Sequence, residues 1–162
     1  MNIRSTYVVL SALLLGFISQ HGLAQPPKYK DTGLAKDFEL IQGSWELLHG
    51  DMGDGPTIRS VKTITGNRST LKRYRIDSGE QFHEHTSEFQ LSKSGEVRVF
   101  TFYRVGGTPE RGGSYVYRVD QKSFWDVPGL LQGGKYRNYR RDPIVYHWKR
   151  ITSKKDSSES RR

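Results

Sequence analysis

Two histidines stand two residues apart in the segment Gln81-Phe82-His83-Glu84-His85-Thr86-Ser87-Glu88-Phe89-Gln90-Leu91. Side chains two apart on an extended strand share a face, so both imidazoles would offer nitrogens in one direction and could hold a single Zn²⁺. Their face continues through Ser87, Phe89 and Leu91, while the other carries Glu84, Thr86, Glu88 and Gln90. The pair is therefore expected to lean toward an interior. A third ligand would have to come from His49, His147 or a carboxylate on a neighbouring strand, which would make this a metal-binding protein or a small metal-dependent enzyme. The competing expectation is a polar-lined interior or a solvated edge.

Cations interleaved with aromatics form a second group. Tyr136-Arg137-Asn138-Tyr139-Arg140-Arg141 could grip carboxylates, phosphates or sugar rings by bidentate hydrogen bonds and stacking, but Asp142-Pro143 follows at once and favours a basic surface loop. Arg73 and Arg75 alternate with Lys72, Tyr74 and Ile76, and Arg98 and Arg104 share a face with Phe100 and Phe102. Cations so placed near one end of a β-structure could receive an anionic head group.

Catalysis finds little footing. The chain has no cysteine, no Gly-x-Ser-x-Gly elbow, no His-Glu-x-x-His and no phosphate loop. No catalytic residue is singled out and no cofactor is expected, and the balance is against an enzyme without closing that question. A dispersed Ser-His-Asp site stays open, because triads are recognised by geometry.

The elements that must position these residues follow from the 162-residue pattern. Arg4, an apolar run from Tyr7 to Ile18 and the small-residue site Gly22-Leu23-Ala24 read as a signal peptide over residues 1–24, so export to the periplasm or the medium is expected. The run is too short for a membrane span, which needs about 20 apolar residues. Residues 25–36, opening on Pro26-Pro27, read as a flexible lead-in, and Leu34, Phe38 and Ile41 recur at helical spacing. From Ser44 the pattern changes to alternation rich in β-branched and aromatic residues, broken by Gly, Asn, Asp and Pro clusters. It predicts strands over 44–49, 58–65, 69–77, 81–91, 96–105, 114–119, 122–127 and 144–151. Eight short strands joined mainly by hairpins predict a small antiparallel up-and-down β-barrel with a short N-terminal helix, the strand number that leaves room for side chains or one small ligand. Residues 152–162 read as a disordered basic tail.

Net charge is +9, and a leader would remove only Arg4. A basic surface attracts phosphates, anionic lipid heads or acidic polysaccharide, though export argues against nucleic acid as a partner. Without cysteines in the chain, an exported domain must be held by an ordinary packed core.

Gln42-Gly43-Ser44-Trp45 opens the first strand, Gly113-Ser114-Tyr115-Val116-Tyr117-Arg118-Val119 forms a later one, and Lys149-Arg150 closes the last. Here the chain resembles the calycin group, the lipocalins and their relatives, over residues 37–151. It is most similar to the uncharacterised lipocalin-like exported domains of planctomycete bacteria. The resemblance implies that Gly43, Trp45 and Arg150 close the barrel, the guanidinium stacking on the indole, and it implies no particular ligand. No Thr-Asp-Tyr triplet occurs in the later half, unlike the classical carriers. The leading expectation is a monomeric exported barrel binding a small hydrophobic or anionic ligand. The alternatives are metal chemistry at His83 and His85, or an interaction module whose barrel is filled by side chains.

Overall fold

The computed structural model describes residues 27–50, 55–132, 135–136 and 144–152. The expected leader over 1–24, nearly all of the segment 136–141 and the tail beyond Thr152 lie outside them.

Helix α1 (Thr32–Ile41) comes first, with Asp31 as its N-cap accepting the Leu34 N–H at 2.9 Å. It begins inside the stretch expected to be a flexible lead-in. The reason is packing: Leu34 and Ile41 are buried, and Tyr29 and Phe38 pack against the same core. The Tyr29 hydroxyl also accepts the Leu91 N–H at 3.0 Å.

Strands follow as β1 (Gly43–His49), β2 (Ile58–Thr65), β3 (Arg68–Arg75), β4 (Gln81–Ser94), β5 (Val97–Arg104), β6 (Gly113–Val119), β7 (Ser123–Gln132), β8 (Lys135–Tyr136) and β9 (Tyr146–Arg150). Each pairs antiparallel with its neighbours in sequence up to β7, which pairs with β9, and β9 returns to β1. Eight strands thus close a ring, with two-residue β8 folded back on the end of β7. The turn between β2 and β3 has only two residues, and Gly66 takes φ +58° there, a conformation that costs other residues strain.

Period-two alternation decides what enters the barrel. Trp45 and Leu47 of β1, Ile64 of β2, Phe89 and Leu91 of β4, Phe100 of β5 and Phe124 of β7 form the core, with α1 packed across one end. Asp37 is buried on that helix and satisfied there, paired with Arg98 of β5 and accepting the Tyr117 hydroxyl at 2.9 Å. Arg98 therefore serves the closed end of the barrel.

β4 is longer than its partner. Its register with β5 stops at Ser87 opposite Arg104, so Gln81 to Thr86 are paired with β3 alone. This overhang forms part of the rim opposite α1. No helix among the described residues is long and apolar enough to cross a membrane.

Candidate functional site

At the closed end, Trp45 is completely buried, and its indole N–H donates to the Ile41 carbonyl at 2.8 Å. Arg150 lies opposite it in the register of β1 and β9, with its guanidinium carbon 4.1 Å from the indole centroid. That guanidinium also donates to three backbone carbonyls, those of Leu40, Gln42 (2.7 Å) and Gln121 (2.6 Å). It ties the end of α1, the start of β1 and the β6–β7 turn together. Gly43 has φ +108°, and a Cβ there would meet an Arg150 nitrogen at 2.9 Å. This group joins chain segments and leaves no guanidinium nitrogen free for a ligand.

The other end is hollow. A cavity of about 140 Å³ runs into the barrel, with apolar walls from Leu47, Leu71, Phe100, Phe102 and Trp148. Its polar lining includes His49, Ser60, Lys62, Arg73, His85, Tyr115 and Asp126. Lys62 Nζ lies 2.7 Å from Asp126 Oδ2, and both side chains are almost wholly removed from solvent. The same carboxylate oxygen accepts the Trp148 indole N–H at 3.1 Å. The Lys62 ammonium also lies 4.1 Å from the Trp148 ring centroid and 4.7 Å from that of Phe124. Stripping water from this amine pushes its pKa down, while the Asp126 charge and hydrogen bond pull it back up. Tyr115 is pushed up to about 12 by burial and by the nearby Asp126 carboxylate.

Two buried polar atoms make no hydrogen bond within the described protein, Asp126 Oδ1 and Arg73 Nε. Both belong to residues lining this cavity. An unmade hydrogen bond at a buried polar group costs about 1–3 kcal/mol, more when the group is charged. Such groups in native proteins call for an explanation.

His49 donates to or accepts from Ser60 Oγ at 2.8 Å, and burial followed by the Arg73 charge lowers its pKa. His85 is lowered as well, by burial first and then by His83, Arg73 and Lys62. Both imidazoles therefore favour the neutral form at pH 7.

The inward parity expected for His83 and His85 agrees with the burial of Ser87 and Phe89 on that face, but neither imidazole is buried. They sit on the β4 overhang, where no β5 strand covers them, so the expected interior position is corrected to the rim. His83 Nε2 and His85 Nδ1 are 2.8 Å apart and share a hydrogen bond. Among the described residues no group of three His, Cys, Asp or Glu is arranged to hold a metal ion. His147 is on the outer surface, bonded to Ser123 Oγ at 2.9 Å and stacked on Trp125.

Of the four arginines singled out by alternation, Arg73 lines the cavity. Arg75 reaches Glu80 at 3.5 Å on the outside, Arg98 holds α1, and Arg104 is exposed. Lys62 and Asp126 escaped the sequence reading. In Ile58-Arg59-Ser60-Val61-Lys62-Thr63-Ile64 the flanking isoleucines share Lys62's parity, so period two alone could have placed it inward. Asp126 had no such signal, because Trp125 and Val127 make the opposite face of β7 the more apolar one.

No protein-family model, no curated protein and no solved structure matches this chain.

Proposed function

We propose that the protein is an exported lipocalin-like barrel that binds a small amphipathic ligand in the open end of its lumen. The observation that carries this reading is the cavity of about 140 Å³, with apolar walls and two unpartnered buried polar atoms at its lining. A concave, mainly apolar pocket with a few convergent polar groups is the usual form of a small-molecule site. A barrel filled by its own side chains would have no reason to keep such atoms unmatched. The Trp45, Arg150 and Gly43 cluster at the opposite end supports the calycin-type reading of the ends. Export rests on Arg4, the apolar run from Tyr7 to Ile18 and the small-residue site that follows.

Native mass spectrometry of the protein purified from its own host is the direct test. The expected result is a mature chain starting after residue 24 and carrying a stoichiometric added mass that is lost on denaturation. A bare chain, with a lumen that takes up no small molecule on titration, would contradict binding. A chain beginning at Met1 in exported material would contradict leader removal.

A further inference from the structure

The two unpartnered atoms of the lumen are opposite in kind. Arg73 Nε is a cationic donor and Asp126 Oδ1 an anionic acceptor, and both residues line one cavity. Asp126 spends its other oxygen twice, on the Lys62 ammonium and on the Trp148 indole. Lys62 and Asp126 thus neutralise each other, and Arg73 is left as the surplus charge of the lining. A lone hydrophobe would leave both atoms unmatched, and a simple anion would serve only the arginine. A cavity of about 150 Å³ accommodates benzene, so the 140 Å³ here suits a single ring lying against Leu71, Phe100 and Trp148.

We propose that the lumen binds a ring-sized hydroxy acid, its carboxylate accepting from Arg73 and its hydroxyl donating to Asp126 Oδ1. This rests on the reading of the barrel as a small-ligand binder and specifies the chemistry it selects. A site built to pair a ligand's polar groups discriminates strongly against analogues that lack them, since its own buried groups are then left unmatched.

The test is calorimetric titration of the mature chain at neutral pH with 4-hydroxybenzoate, benzoate and phenol. Benzoate removes the hydroxyl and phenol removes the carboxylate, so the panel probes each contact without altering the protein. The expected result is that 4-hydroxybenzoate binds at least about tenfold tighter than either analogue, a factor worth 1.4 kcal/mol per contact. Arg73→Met should lower its affinity to that of phenol while leaving phenol unchanged. Equal affinities across the panel, or a 4-hydroxybenzoate affinity untouched by Arg73→Met, would overturn the proposal. Silence from all three compounds would overturn it too, yet a retained mass in the native spectrum would then keep the binding function itself standing. Should Arg73→Met fail to fold, the three-compound comparison on the unaltered protein decides.

Discussion

Lys62 is the residue whose position most constrains the chemistry of the lumen. A charge held this far from water survives only with a close partner, and Asp126 at 2.7 Å supplies it. Lys62→Met should therefore destabilise the fold by about 3–5 kcal/mol, because it strands a buried carboxylate. Adding Asp126→Leu should recover most of that loss, short of about 1–3 kcal/mol for the indole N–H of Trp148 that loses its acceptor. Urea denaturation of the two single variants and the double variant checks this through their coupling. Simple additivity would mean the pair is solvated. Trp45 makes a different contribution at the closed end, where its ring is fully buried beneath Arg150. Trp45→Ala should cost about 3–5 kcal/mol by the same measurement, and an unchanged midpoint would show that the ring is dispensable.

At the scale of elements, the β4 overhang explains why the histidine pair is exposed. Parity along Ser87, Phe89 and Leu91 was legible from the sequence and correctly gave the face, because one buried side fixes the register of a strand. What alternation cannot give is where a neighbouring strand ends. β5 stops opposite Ser87, so His83 and His85 keep the inner face without its cover. The same limit applied to β7, whose outer Trp125 and Val127 outweigh inner Phe124 and Asp126 in any hydrophobic count. Trp125 can lie outside because it packs between Arg118 and His147 on the barrel surface. The overhang carries its own prediction. Amides between Gln81 and Thr86 that point away from β3 should exchange with solvent distinctly faster than those of Ser87 and Glu88, which have strands on both sides. Uniform protection along β4, measured by hydrogen exchange, would contradict the pairing.

For the whole molecule, the eight-stranded ring and its N-terminal helix were readable because hairpin turns and alternation are local signals. The polar cavity was not, since it is assembled from Lys62, Arg73, His85 and Asp126 on four different strands. Two imidazoles of the cavity lining link it to global stability. His49 and His85 both have pKa values lowered from the ordinary 6.5, so the folded chain binds fewer protons than the unfolded chain as pH falls through that value. Their contribution is complete above pH 6.5 and is lost progressively below it, until each lowered pKa is passed. Stability should thus be lower at pH 5.5 than at pH 7.5, and the difference should shrink when both are replaced by glutamine. Denaturant melts at the two pH values check the sign, and higher stability at pH 5.5 would contradict it.

The lumenal site is tested most directly by the indole N–H resonances of the three tryptophans in a nitrogen-15 labelled sample titrated with 4-hydroxybenzoate. Trp148 donates to Asp126 in the cavity, Trp45 donates to the Ile41 carbonyl at the closed end, and Trp125 lies on the outer surface. Occupation of the lumen should move the Trp148 resonance in a saturable way and leave those of Trp45 and Trp125 in place. A Trp148 resonance that stays fixed, or a shift confined to Trp125, would contradict a ligand site inside the barrel.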